Sequence, residues 1–432
     1  MRFPMRSGPT MPRADVVVIG AGLAGLSCAA ELAESGARVF LAAKGMATTH
    51  WTHGGLDVAA PAGASTSRVG VRVLAAVPGH PYATVHAEVD GAVEAHRARL
   101  ARAGLPLSGS LDDALTPIPT ALGALRPASI LPSAQAAAVE PWVDDGLLLI
   151  GFAGFRDAWP AYAARNLGAL QWPGGPRQIR HAEVALPGLE RLNNLNARSL
   201  AVLFDDAAWR AVALGAISRA VPPGPWRIGL PAVLGIADHP RAHADVEAAT
   251  GDRVFEIASL PPSVPGVRLF DALRRTVVDG GGRVQVGFDV VDVERDGHRI
   301  VAVHTEAAAR TLRLEADAFV LATGGIGGTG IRANADGSLH ERVFGMAVEA
   351  PPRAAWFSDD PLTPHPLESV GIRVDAELRP LDAAGHLAYE NVRVIGSALA
   401  GMRYLEQRCG DGVALASAHR AARSLAAGRL AA

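Results

Sequence analysis

The chain has 432 residues, 49% of them hydrophobic and 19% charged, with a formal net charge of −2 at pH 7. That length exceeds one simple core and predicts two domains, and the near-neutral charge argues against a nucleic-acid or polybasic membrane-binding surface. Two cysteines, Cys28 and Cys409, exclude a disulfide framework and an iron–sulfur cluster held by this chain alone. No uncharged apolar run is long enough to span a bilayer. The mean hydropathy of +0.18 reflects either alanine richness or an apolar face covered by partners. The cysteine usage fits the cytoplasm.

Residues 1–13 carry Pro4, Gly8, Pro9 and Pro12 without an apolar core, so they read as a disordered extension rather than a signal peptide. The apolar run Val16–Ile19 then enters Gly20-x-Gly22-x-x-Gly25, a helical pattern follows from Leu23 to Leu32, and a second strand is expected over Arg38–Ala42. This is a βαβ unit whose glycines match a dinucleotide site. Gly20 serves the tight turn, Gly22 the approach of a pyrophosphate to the helix's positive end, and Gly25 close helix–strand packing. Leu23 and Ala24, in the first helical turn, are assigned to the same cradle.

The region 61–260 lacks a dinucleotide pattern. It shows a strand over 147–152, a helix near 157–168, and loop signals at Pro222-Pro223 and Pro261-Pro262. Dinucleotide-type elements return at 261–330. A helix is expected over Val267–Val278, a strand over Arg283–Val286, and a hairpin from Val290–Glu294 and Ile300–Val303 around Asp296-Gly297. A buried strand, Asp317–Ala322, runs into Thr323-Gly324-Gly325. After 331–384 come a strand over Asn391–Ile395, a break at Gly396, and a last helix opened by Gly410-Asp411-Gly412 and running to about Ala427. The fold class is therefore α/β: a discontinuous Rossmann-like dinucleotide-binding domain (14–60, 261–330, 385–432) with an inserted α+β cap or substrate domain (61–260 and 331–384).

The second strand ends in Ala43-Lys44-Gly45 with no carboxylate for a ribose, which counts against NAD. Lys44 there resembles the succinate dehydrogenase and fumarate reductase flavoproteins. The stretch Thr48-Thr49-His50-Trp51-Thr52-His53-Gly54-Gly55 resembles their flavin-ring loop, and Thr323-Gly324-Gly325 a segment common to FAD folds. On that resemblance Lys44, Gly45, Thr49, Gly54, Gly55, Thr323, Gly324, Gly325, Gly396, Gly410, Asp411 and Gly412 join the cofactor set. Thr48 stands where some of those relatives carry a flavin-linked histidine, so attachment is expected to be non-covalent.

The whole chain is also similar to the B-subunit family of anaerobic glycerol-3-phosphate dehydrogenases. The matching stretches are His80-Pro-Tyr82, Thr120–Arg126, Gly151-Phe-Ala-Gly-Phe-Arg-Asp157, Leu230–Asp238, Leu260–Leu269, Ile395–Gly401 and Cys409–Gly412. That resemblance implies a flavin subunit pairing with a catalytic FAD subunit and an iron–sulfur subunit. Glycerol 3-phosphate would be the complex's substrate, and the chain would reach the inner face of the cell membrane only through partners. The family is described as carrying FMN, whereas GxGxxG exists to hold a pyrophosphate; FAD is expected and FMN is the alternative.

His365, between Pro364 and Pro366, resembles a substrate-binding histidine, and Arg268 is a candidate for an anionic substrate group; each also reads as a structural residue. His80 reads as a turn cap or a flavin contact, and Asp411 as an N-cap or a flavin contact. Two other readings stay open: a stand-alone fumarate-reductase-like flavoenzyme acting on a small acid, and a cofactor-free scaffold subunit.

Overall fold

The computed structural model describes residues 13–139, 145–172, 177–192, 194–307 and 310–430; the expected extension 1–13 lies outside it except for Arg13. The chain opens with β1 (Ala14–Ile19), α1 (Leu23–Glu34) and β2 (Val39–Ala43). Its middle holds β3 (Gly146–Phe152), α2 (Pro160–Gly168), β4 (Ile179–Val184), β5 (Trp226–Pro231), α3 (His239–Thr250) and β6 (Arg253–Ile257). Then follow α4 (Val264–Asp279), β7 (Arg283–Val286), β8 (Asp289–Asp296), β9 (Arg299–Ala307), β10 (Arg310–Leu321), β11 (Val392–Val394) and α5 (Gly410–Leu430).

Two compact units result. The first takes the chain up to Thr48, Asp57–Arg99 and everything from Ala272; the second takes Thr49–Leu56 and Leu100–Asp271.

The first unit is built on a sheet in the order β7-β2-β1-β10-β9-β8, with β11 beside β10. β1 pairs in parallel with β2 (Val16 opposite Val39) and with β10 (Val18 opposite Val320). A strand flanked by parallel neighbours and covered on both faces must be apolar throughout, which is why Val16–Ile19 reads as an unbroken run. Nearly every residue of α1 is buried, and α5 packs along it. The β8–β9 hairpin turns at Gly297, φ +55°, and β9 continues antiparallel onto β10.

The second unit has its own four-stranded sheet, order β6-β5-β3-β4, and every pairing in it is parallel. The chain steps outward from β3 to β4 and then returns to the other side of β3 with β5. The strand order therefore reverses between β3 and β5, the kind of switch point outside whose carboxyl end α/β folds place ligands. Alternate residues of β3 feed two cores. Leu148, Ile150 and Phe152 join Phe204, Ile228 and Val246 on one face, while Leu147 and Leu149 join Leu167, Trp172 and Phe255 on the other.

The boundaries correct the expected division. Segments 61–99 and 331–384 belong with the dinucleotide unit, and 49–56 and 261–271 with the other. The reason is local packing. Tyr82 hydrogen-bonds the Val58 carbonyl and lies against Gly412, and Ile372 N–H donates to the Ala398 carbonyl at 2.8 Å. Arg342 grips Asp289 through both carboxylate oxygens at 2.8 and 2.5 Å.

Candidate active site

In the first unit the three glycines of the βαβ turn do different work. Gly20 has φ +116°, and a Cβ there would lie 2.2 Å from the Ala322 carbonyl oxygen. A Cβ on Gly25 would lie 2.0 Å from the Gly20 carbonyl oxygen and 3.1 Å from the Ala322 Cβ. These two let β1, β10 and α1 close on one another. Gly22 is unlike them: its φ of −76° suits any residue, and a Cβ would find only the Ala47 Cβ, at 3.8 Å. It is the N-cap of α1, no side chain caps that helix, and the first turn holds no acidic residue. Uncompensated N–H groups and the positive dipole end therefore face open space above a bare backbone, the cradle a pyrophosphate needs. Leu23 and Ala24 open the helix beside it.

Around this cradle the Thr323–Gly325 turn follows β10, where Gly325 N–H reaches Ser397 Oγ at 3.4 Å. The Thr323 hydroxyl is buried without a hydrogen-bond partner, a state that costs free energy unless a ligand completes it. Gly396, φ +68°, lies against Ala24, where a Cβ would stand 2.8 Å from the Ala24 Cβ. Gly410 begins α5. Asp411 Oδ2 accepts the Asp57 N–H at 2.9 Å, and its own N–H donates to the Asp57 carbonyl at 3.1 Å, so it tethers that segment. Gly412 makes room for the Tyr82 hydroxyl, which a Cβ would approach to 2.0 Å. Asp411 and Gly412 thus act in the packing that shapes the site.

Beyond β2, Gly45 is exposed and Lys44 Nζ lies 3.3 Å from Asp289 Oδ2. Partial burial pushes the Asp289 carboxyl up, but the hydrogen bonds and charges of Arg342 and Lys44 outweigh it and hold it below the ordinary value. The end of β2 therefore does have a carboxylate nearby, delivered by β8 rather than by β2. Sequence reading missed it because Asp289 is some 240 residues away along the chain, and only the pairing of β7 with β2 brings it there.

In the second unit, Thr49–Leu56 is held by its backbone. Its carbonyls at His50, Thr52 and His53 accept from Ser263 N–H (2.7 Å), Ser263 Oγ (2.5 Å) and Gln135 Nε2 (2.7 Å). Gly54 turns with φ +97°, and the Gly55 N–H donates to His53 Nδ1 at 3.2 Å. The His50 ring lies 4.8 Å from that of Phe270. The Thr49 hydroxyl is buried and unpartnered, a second orphan in the residues expected to meet the flavin.

Arg268 belongs to the second unit and His365 to the first. Arg268 is clamped to Glu256, Nη1–Oε2 2.6 Å and Nη2–Oε1 3.0 Å, with Nε on the Gly235 carbonyl at 2.8 Å. Burial pushes the Glu256 carboxyl up, but the Arg268 charge, His239 and the hydrogen bonds overcome this and hold it at about 2. His365 opens a short 3₁₀ turn; its Nδ1 accepts the Ser358 N–H at 3.0 Å and its ring stands edge-on to Phe357 at 5.6 Å. His80 caps a helix by accepting the Tyr82 N–H at 3.0 Å, with Nε2 3.2 Å from Gln407 Oε1, and burial lowers its pKa to about 4.

The geometry of the first unit is that of a dinucleotide type of site. Residues 15–413 match the model of the FAD binding domain family. The chain is 31% identical to the probable B subunit of the anaerobic glycerol-3-phosphate dehydrogenase of Halobacterium salinarum, over 94% of this chain and 96% of that one. It is 32% identical to the B subunit of the same dehydrogenase from Yersinia pestis over the same shares. Among solved structures, the 3-ketosteroid Δ1-dehydrogenase of Sterolibacterium denitrificans aligns over 97% of this chain and 100% of its own, at 12% identity and a TM-score of 0.47. The chain belongs to the FAD-binding domain family and, within it, to the B-subunit family of anaerobic glycerol-3-phosphate dehydrogenases. It is a flavin-dependent oxidoreductase, and its cofactor is FAD. In the first unit, the bare Gly22 backbone, the uncapped α1 terminus and the unpartnered Thr323 hydroxyl fit that group.

Proposed function

We propose that this chain is the flavin-bearing B subunit of an anaerobic glycerol-3-phosphate:quinone oxidoreductase. It oxidises glycerol 3-phosphate to dihydroxyacetone phosphate, relays electrons to an iron–sulfur subunit, or does both. The full-length match to B-subunit relatives carries this reading. Bound FAD supplies the two-electron chemistry. Within the first unit, Gly20–Gly25 and α1 would hold its pyrophosphate, with Lys44 and Gly45 near the end of β2 and Thr323–Gly325 beside β10; in the second unit, Thr49, Gly54 and Gly55 belong to the stretch that resembles a flavin-ring loop. Two cysteines supply too few ligands for a cluster, so onward transfer falls to a partner. Among the described residues no helix is long and apolar enough to cross a membrane, so the proposed membrane attachment also runs through partners.

The small-acid flavoenzyme reading finds little support, because Arg268 is already neutralised by Glu256. The buried hydroxyls without partners speak against a scaffold that takes no cofactor.

The test is to purify the chain, release and chromatograph its flavin, and then add glycerol 3-phosphate anaerobically. Bleaching of the flavin band in the isolated chain assigns substrate oxidation to this protein. Bleaching only after the catalytic partner is added assigns a relay. A flavin that bleaches under neither condition refutes the proposal.

A further inference from the structure

The parallel sheet of the second unit has a crevice at the carboxyl ends of β3, β5 and β6, where its strand order reverses. Leu149 and Ile150 of β3, Pro231 of β5, Ile257 of β6, and Pro160 and Ala163 of α2 line it. The turn 120–124 is fastened to α2. Asn166 Nδ2 donates to the Leu122 carbonyl at 2.8 Å, and a Cβ on Gly123 would meet the Ala163 carbonyl oxygen at 2.4 Å. Three of the stretches that carry the family resemblance, Thr120–Arg126, Gly151–Asp157 and Leu230–Asp238, thus contribute to the lining. None of the lining residues is assigned to the flavin or to a substrate.

Two polar groups in the lining are unmatched. The Ser259 hydroxyl, in a residue 9% exposed, has no hydrogen-bond partner. The Asp157 carboxyl is pushed up by burial alone, and no cation or donor among the described residues is near enough to pull it back. The Thr120 hydroxyl accepts the Ala124 N–H at 3.1 Å and keeps a second lone pair. A charge without a counter-charge and a buried hydroxyl without a partner both cost free energy that a cationic donor would recover. An anion would meet Asp157 with no cation in the lining to receive it, and a neutral hydroxyl would leave the charge uncompensated. An ammonium brings three N–H donors to three side-chain oxygens. Size narrows the occupant further. The crevice holds about 30 Å³. Small-molecule pockets run from about 300 to 1,000 Å³, whereas one water-sized group needs about 10–15 Å³. It therefore admits the tip of a longer group, and suits a compact ammonium better than the broad plane of a guanidinium. Its surroundings are apolar and exposed: Trp159 in the lining, and Leu122, Tyr162 and Leu260 beside lining residues in the chain. Exposed aromatic and aliphatic groups around a small polar pocket make up the anchor points of protein interfaces, and an indole face attracts a cation. A second copy of this chain offers only Lys44, which already lies 3.3 Å from Asp289.

Given the subunit role proposed above, on which this rests, we propose that the crevice receives the side-chain ammonium of a lysine presented by a partner subunit, its charge against Asp157 and an N–H on the Ser259 hydroxyl. The experiment uses the full chain co-purified with its proposed partner subunits. A carbodiimide, which joins a carboxylate to an amine in contact with it, is added, and the linked peptides are identified by mass spectrometry. An Asp157–lysine link to another subunit is expected. Asp157→Asn is expected to abolish that link and to weaken assembly at least about tenfold, while flavin content and circular dichroism stay unchanged. An assembled wild-type complex in which Asp157 is joined to no lysine overturns the proposal. So does a link from Asp157 to Lys44 of a second copy, or an Asp157→Asn chain that assembles with undiminished affinity. A wild-type chain that assembles with no partner overturns the subunit role as well, so the two failures are distinguishable.

Discussion

Replacing Gly22 by valine separates the cofactor role of the cradle from its structural role. Gly22 has φ −76° and ψ 179°, ordinary extended backbone, and its nearest obstacle to a Cβ is 3.8 Å away. The cost to the protein is that of a poorer N-cap, about 1 kcal/mol. The cost to the ligand is much larger. A phosphate oxygen bonded to the first-turn N–H groups must come within about 3 Å of the backbone, where the valine methyls would stand. With FAD at about 100 times its dissociation constant, binding contributes about 2.7 kcal/mol to stability, and the variant forfeits that contribution. The assay is the flavin-to-protein ratio together with urea unfolding of the FAD-loaded and FAD-stripped chain. The stripped variant should match stripped wild type within about 1 kcal/mol, and its flavin ratio should collapse. A Gly22→Val protein that keeps the wild-type flavin ratio would show that the pyrophosphate does not sit there. Gly25→Val is the control with the opposite pattern. Its Cβ would press on the Gly20 carbonyl at 2.0 Å, so the stripped protein itself should lose about 3 kcal/mol or more.

Three further outcomes follow from the geometry. Burial holds folded His80 at about 4 against an ordinary 6.5; the unfolded chain takes the proton first, so stability is full above pH 6.5 and falls by about 3 kcal/mol as pH drops to 4. His80→Asn, which keeps a capping acceptor, should flatten urea-unfolding stability across that window, and an unchanged slope would exclude His80 as its source. Arg268→Met should cost about 3–5 kcal/mol by leaving Glu256 charged and buried, and Arg268→Met with Glu256→Leu should recover most of it; a double variant no more stable than the single one contradicts the pairing. Glu256, held at about 2 in the folded chain, contributes stability above its unfolded value that fades as pH falls toward 2. His365→Ala should leave flavin content unchanged and cost about 1 kcal/mol for the lost Ser358 bond; unchanged turnover of the assembled complex would end its proposed substrate role.

The first strand, α1 and the second strand were legible in the chain because their signals are local. An apolar run, glycines at fixed spacing and a helical period need no distant partner to be read. The same holds for β3, the β8–β9 hairpin and α5. The strand β4, Ile-Arg-His-Ala-Glu-Val, was not legible: three of its residues, Arg180, His181 and Glu183, are exposed and charged or polar, so nothing in its pattern distinguishes an edge strand from a loop. The insert's parallel sheet therefore emerged only with the fold.

The sequence by itself determined the glycine turn between β1 and α1, because Gly20, Gly22 and Gly25 are constrained by a segment only a few residues long. Tertiary structure alone decided how those glycines divide their labour, since only packing reveals that Gly20 and Gly25 touch backbone while Gly22 faces open space. It alone decided that Arg268 is paired to Glu256 and that a carboxylate, Asp289, stands beyond β2 after all. Ion pairs and cavities join residues that chain order keeps apart, and no spacing rule carries that information.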